Sequence, residues 1–337
     1  LFTLAKTTLT TLLMCFCLIF SLVHGDVVAA EEEEPAAKEA MMESNTAKKK
    51  AAESANMSKD EKKAASGSDT DDSASMATKP TQPARIINPP IDAFKQQQQD
   101  LKHYLNSDGI ETILVGTDEF IILTDKHKTA INKGVMILVP DWQQSAASPN
   151  AINQLRSNMP DQGWTTLTMH PPHQLGNYPS QALTTEKRLK DNNENLASYQ
   201  KKLSAVIESV TNKAKNYPGV ILIVAEGQHA ALVVDMIQNL LIEPPNALVM
   251  LSSYMPTDVE NTKLAEQVAT SDYPILDLYL QHDHRLVLTS TKNRKARTKN
   301  EMKVFYRQKK LPNQMTGYYP KHSLTREVIG WLKSIGW

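Results

Sequence analysis

Thirty-seven Lys and Arg balance thirty-seven Asp and Glu in a chain of 337 residues, so no global field draws it to nucleic acid and any charge argument is local. The only cysteines, Cys15 and Cys17, lie in an amino-terminal apolar stretch; if that stretch is removed, disulfides, zinc-thiolate sites and cysteine nucleophiles are excluded together. The stretch has Lys6, an apolar core from Leu12 to Val23, and small residues afterwards at Gly25, Ala29 and Ala30. A core of about 12 residues falls short of the ~20 that span a bilayer, so a signal peptide over 1–25 is expected and the protein is expected to be exported, to a periplasm for instance. Anchoring by an uncleaved segment is the alternative. A lipoprotein motif at Cys15 or Cys17 is disfavoured by Met14 and Phe16, where a small residue is needed.

Residues 26–93 read as a linker. They are rich in Ala, Glu, Lys and Ser, with Glu31 to Glu34 and Lys48 to Lys50 as charge runs and no aromatic residue before Phe94. Such a segment buries too little apolar surface to offset its ordering entropy, so disorder is expected, as a spacer or as a reach-extending tether. Pro80, Pro83, Pro89 and Pro90 close it, and one domain over 94–337 remains, roughly 245 residues and long enough for a sizeable core.

That domain opens with a helix-like piece from Phe94 to Leu105, then two short runs, Thr112 to Val115 and Phe120 to Thr124, spaced as a hairpin. An unbroken apolar strand, Gly134 to Val139, ends in the polar cluster Asp141-Trp142-Gln143-Gln144. A helix follows from about Pro149, with Ser148 as its expected cap. Strands are then expected at Gly163 to Met169, Ala247 to Ser252, Ile275 to Gln281 and Lys303 to Arg307. A long helix is expected from Glu194 to Tyr217 and a closing amphipathic helix from Leu324 to Trp337. Alternation of strands and helices predicts an α/β fold, a mostly parallel sheet covered on both faces.

The stretch that organises the domain is Gly219 to Leu241. A buried strand, Val220 to Ala225, runs into Glu226-Gly227-Gln228-His229 and then into Ala230, Ala231, Val234, Ile237 and Leu241 at helical spacing. Strand, tight turn and helix are the setting of the nucleophile elbow, G-x-S-x-G. In the best register Ala225 and His229 hold the small positions and Gly227 stands where serine belongs, so the frame is legible and the nucleophile is missing.

From these pieces, GVMILVPDWQ, GWTTLTMHPP and EGQHAAL, the chain resembles the α/β-hydrolase fold from about Phe94 to Trp337. More narrowly, it resembles an uncharacterised family of α/β-hydrolase-like proteins exported by proteobacteria. The resemblance implies an acid at Asp283, a histidine base at His322 and a vacated nucleophile position at Gly227. It also implies an oxyanion loop after the Gly134 strand, where an ionised Asp141 would repel an anionic intermediate. Trp142, Glu226, Gln228, His229 and Ser252 complete the expected cleft.

Each candidate also has a plainer reading. Gly227 is equally the residue that tolerates positive φ in a tight turn. Glu226 as a carboxylate nucleophile would be crowded by Val224 and Gln228, and His229 reads as a packed side chain. Ser252 and Ser253 are expected to give polarity to a rim. His282, His284, His170 and His173 show no metal-ligand spacing, so no metal and no cofactor is expected. Between Thr291 and Lys310 nine cations face one acid, Glu301. They form either a solvated basic face or a surface attracted to anionic lipid headgroups or glycans. The function expected is non-catalytic binding of a small molecule, a glycan or an envelope protein through the cleft. An active ester or amide hydrolase with an unorthodox nucleophile, and a tethered accessory protein acting through the basic face, are the alternatives.

Overall fold

The computed structural model describes residues 89–337 except 106 and 174; the expected signal peptide and most of the expected linker lie outside the described residues. The chain divides into two units, Leu1–Gln82 and Pro83–Trp337, and only the second is described below.

An eight-stranded sheet forms its centre. The elements in chain order are α1 (Ala93–Tyr104), β1 (Ile110–Val115), β2 (Asp118–Asp125), β3 (Gly134–Val139), α2 (Ala151–Asn158), β4 (Trp164–Met169), α3 (Thr185–Ala214), β5 (Val220–Glu226), α4 (Gly227–Gln238), β6 (Ala247–Leu251), α5 (Asp258–Thr270), β7 (Ile275–Leu280), α6 (Arg285–Asn300), β8 (Tyr306–Leu311) and α7 (Lys321–Ser334). The strand order is β1-β2-β4-β3-β5-β6-β7-β8. Strands β1 and β2 form the expected antiparallel hairpin, β2 joins β4 antiparallel, and every pair from β4 to β8 is parallel.

The central strands are continuous apolar runs because both their faces are covered. In β3 and β5, Val135, Ile137, Val139, Ile223 and Ala225 point to the face packed by Tyr199, Leu203 and Val206 of α3 and by Ala230, Val233 and Val234 of α4. Their alternates, Met136, Leu138, Leu222 and Val224, meet Ile152 and Leu155 of α2 and Leu324, Val328 and Trp331 of α7 on the other face. Burying each such side chain is worth about 1.5–3 kcal/mol.

Five sequence expectations shift. Asn150, not Ser148, caps α2, its Oδ1 accepting from the Ala151 N–H at 2.8 Å. Helix α3 begins nine residues before Glu194, capped by Thr184; its first two turns are almost wholly exposed, so they carry no apolar period to read. Leu241 lies beyond the end of α4 and is half exposed.

Strand β8 starts at Tyr306 rather than Lys303, and its register is set by a buried polar cluster. Tyr306 Oη and Gln308 Nε2 donate to Asp277 Oδ2 at 2.7 and 2.9 Å, which leaves Val304 and Phe305 in the preceding loop. Arg294, expected on a solvated basic face, is wholly buried in this cluster. Its Nε and Nη2 grip Asp277 at 2.8 and 3.0 Å, and Nη1 donates to Ser253 O and Ser290 Oγ. The buried stripe of α6 is Val287, Ser290, Thr291, Arg294 and Thr298, which recurs at helical spacing although only one member is apolar.

Candidate functional site

Strand β5 brings Glu226 to the carboxyl end of the sheet, and α4 begins at the next residue with no intervening loop. Gly227 has φ +59, the left-handed conformation that this abrupt reversal needs and that glycine enters without a Cβ clash. The elbow is therefore present. Directly over it sits the carboxyl group of Asp141, from the loop after β3. A Cβ added to Gly227 would come closer than 3.0 Å to Asp141 Cγ and to both of its oxygens, a separation that real Cβ atoms do not adopt.

Asp141 Oδ1 accepts from the Gln228 N–H at 3.0 Å, and the backbone N–H groups of Trp142 and His229 also bond to this carboxyl. In a hydrolase of this fold the N–H after the nucleophile and one from the β3 loop form the oxyanion hole. Here the chain's own carboxylate uses that set of donors. Burial pushes the Asp141 carboxyl up to about 6 against the opposing pull of the three N–H groups.

An aromatic stack holds this loop in place. His229 is fully buried, as its packed reading expects. Its Nδ1 donates to Pro140 O at 2.5 Å, the residue before Asp141, and its Nε2 accepts from Tyr199 Oη at 2.8 Å. Burial pulls His229 down to about 4, so it is neutral and its tautomer is set by those two bonds. Trp142 stacks on His229, Tyr199 and Tyr178 with centroids 5.0–5.8 Å apart.

Glu226 points into the same buried region, and burial, with the Asp141 charge next, pushes it up to about 8. Its Oε1 accepts from Asn150 Nδ2 at 2.9 Å, and Gln144 is its other side-chain partner. Glu226 Oε2 and Gln144 Oε1 are buried without a hydrogen-bond partner.

One strand over, Ser252 has φ +47 at the end of β6. Its Oγ donates to Asp283 Oδ2 at 2.6 Å and lies 2.6 Å from Tyr319 Oη, which in turn donates to Leu278 O at 3.2 Å. Asp283 also accepts from the N–H groups of Leu280 and His284. The acid and base inferred for a residual triad are not brought together. Asp283 is spent on Ser252 and two backbone N–H groups, while His322 is exposed on the first turn of α7, in a groove with Asn158, Asp161 and Thr325. Buried Tyr319, in the loop before α7, faces Ser252 in its place.

The other histidines are dispersed. His170 stacks on Phe94 at 5.0 Å, with His173 edge-on to the same ring. His282 is tied to Asn313, and His284 caps α6 beside Tyr254. Among the described residues no three His, Cys, Asp or Glu side chains converge as metal ligands would, and no helix is long and apolar enough to cross a membrane. Tyr319, Asn150, Gln144 and Tyr199 escape a reading of the sequence because each acts through hydrogen bonds to residues distant in the chain. Only Tyr319 carried a signal, standing just ahead of the closing helix.

A mostly parallel sheet edged by an antiparallel hairpin, with a strand-to-helix elbow after its central strand, defines this protein as α/β-hydrolase-like. The chain belongs to the family described as Protein of unknown function (DUF3530), which matches residues 11–205 and 179–334. No curated protein matches the sequence. Solved structures similar to it include an alpha-beta serine hydrolase homologue from Coxiella burnetii, at 12% identity over 69% of this chain and 100% of that one, TM-score 0.47. Est1E from Butyrivibrio proteoclasticus is similar at 12% identity over 67% and 99%, TM-score 0.47. Dienelactone hydrolase from Anabaena variabilis ATCC 29413 is similar at 10% identity over 67% and 96%, TM-score 0.46.

Proposed function

We propose that this is a non-catalytic member of the hydrolase fold, an exported protein that binds a small molecule, a glycan or an envelope protein at the carboxyl ends of β3, β5, β6 and β7. One observation carries the reading: the Asp141 carboxylate fills the space above Gly227 and engages the N–H groups that would otherwise steady an oxyanion. A site with no side chain at the nucleophile position, and with a negative charge where negative charge must develop, lacks both main sources of acyl-transfer catalysis. Ser252, Tyr254, Gln228 and Asp283 leave a polar, partly exposed rim suited to a hydroxyl- or amide-bearing ligand. Export is supported by Lys6, the apolar core from Leu12 to Val23 and the small residues after it.

Ser252 supports a second reading, an active hydrolase. It holds a strained backbone and a short hydrogen bond to a carboxylate, as an activated hydroxyl would. A fluorophosphonate probe, which reacts only with an activated hydroxyl, separates the two. The expected result is no adduct on the wild-type protein. An adduct mapped to Ser252 and lost in Ser252→Ala would overturn the binding-protein reading in favour of the second.

A further inference from the structure

Helix α6 ends in a Schellman motif: the Lys303 N–H donates to Thr298 O at 3.0 Å and the Met302 N–H to Lys299 O at 3.2 Å. The motif places the residue after the cap in the left-handed region, a position usually given to glycine. Here it is Met302, with φ +50 and 83% of its surface exposed. The strained residue therefore presents a large apolar side chain to solvent, where glycine would serve the turn better.

It has company. Val304 is 82% and Phe305 57% exposed, so three of four consecutive residues form an apolar tip. The tip is held firmly. Between them Lys303 turns inward, its Nζ donating to Ser271 O and Ser271 Oγ and lying 5.8 Å from the Tyr273 ring centre, and Phe305 O accepts from the Ile275 N–H at 2.8 Å. Elsewhere among the described residues the large exposed apolar side chains, such as Leu183, Ile131 and Leu240, stand singly or in pairs.

A cationic stripe leads to this tip. Lys292, Lys295 and Lys299 are exposed at spacings of three and four on α6, hence on one face. Of the other cations of the basic segment, Arg294 is committed to Asp277, Arg297 to Glu266, Arg307 and Lys309 to Glu327 and Lys303 to Ser271, while Lys310 is exposed on β8. Two exposed acids, Glu301 and Asp272, lie beside the tip, Asp272 near the inward-turned Lys303. An apolar wedge collared by lysines fits a surface whose outer layer is negative and whose interior is hydrocarbon.

We propose that Met302, Val304 and Phe305 insert into the headgroup region of an anionic lipid bilayer, with Lys292, Lys295 and Lys299 seated on its phosphates. This surface is separate from the cleft and holds whether or not the cleft is catalytic.

Co-sedimentation of the full chain with phosphatidylglycerol-containing vesicles, compared with phosphatidylcholine vesicles, tests it. The amino-terminal stretch is common to every variant, so its own affinity cancels. The wild type is expected to partition more strongly onto the anionic vesicles, and added salt should weaken that preference. Met302→Ser/Val304→Ser/Phe305→Ser should lose about tenfold on anionic vesicles. Lys292→Ser/Lys295→Ser/Lys299→Ser should erase the preference for anionic over neutral lipid. Met302→Gly, which relaxes the turn and cannot unfold it, should weaken binding while the melting temperature holds or rises. Equal partitioning of the wild type and the triple tip variant, or no preference for anionic lipid, would overturn the proposal and leave the tip to a protein partner.

Discussion

Replacing Arg294 with alanine should destabilise the protein by about 3–5 kcal/mol, the loss expected when one partner of a buried ion pair is removed. The guanidinium and the Asp277 carboxylate are both fully buried. Without Arg294, Asp277 keeps only Tyr306 and Gln308 as donors, and Ser253 O and Ser290 Oγ lose theirs. Urea unfolding measures the loss. The change should be strongly non-additive: once Arg294→Ala is present, Asp277→Ala should cost far less than it does alone, because the stranded charge is gone. A loss under about 1 kcal/mol for Arg294→Ala would mean that the pair behaves as an exposed one.

Stability should fall as pH rises from about 6.5 to about 8, at about 1.4 kcal/mol per unit, and level off beyond. Glu226 is the cause. Its carboxyl, pushed by burial up to about 8 from an ordinary 4.5, is neutral in the folded protein over that window and ionised in the unfolded chain. The folded state thus holds the extra proton, and raising the pH removes its advantage. Below about 6.5 Asp141, raised to about 6, would extend the trend. There His170 and His229, both pulled by burial down to about 4, must charge in the unfolded chain only and oppose it. The dependence is therefore confined to the alkaline side. Glu226→Gln keeps the shape and removes the titration, so its unfolding midpoint in urea should be nearly constant across the window. An unchanged slope in that variant would remove Glu226 from the account.

The fold was legible in the sequence wherever burial writes a pattern. The runs at Gly134 to Val139 and Val220 to Ala225 read as strands because both faces are covered, and the hairpin announced itself through Gly116-Thr117 between two β-rich runs. The first turns of α3 stayed hidden because a solvated helix has no apolar face. Helix α6 misled for the opposite reason: its buried stripe is polar, so Arg294 looked like one more surface cation. The elbow and its missing nucleophile could be read from Gly227. Asp141 was legible as a residue of the oxyanion loop, but its seat directly over Gly227 was not, since it lies 86 residues earlier in the numbering and only the pairing of β3 with β5 brings the two together.

The carboxylate over Gly227 also constrains which substitutions the elbow tolerates. Gly227→Ser alone drives a Cβ into Asp141 and forces serine into a left-handed backbone, at about 1–3 kcal/mol. Asp141→Ala alone leaves three buried N–H groups without their acceptor and returns no hydroxyl. Each single step is expected to lower stability. A hydroxyl at position 227 is therefore compatible with this elbow only if Asp141 changes with it, so the two positions are coupled and should be substituted as a pair.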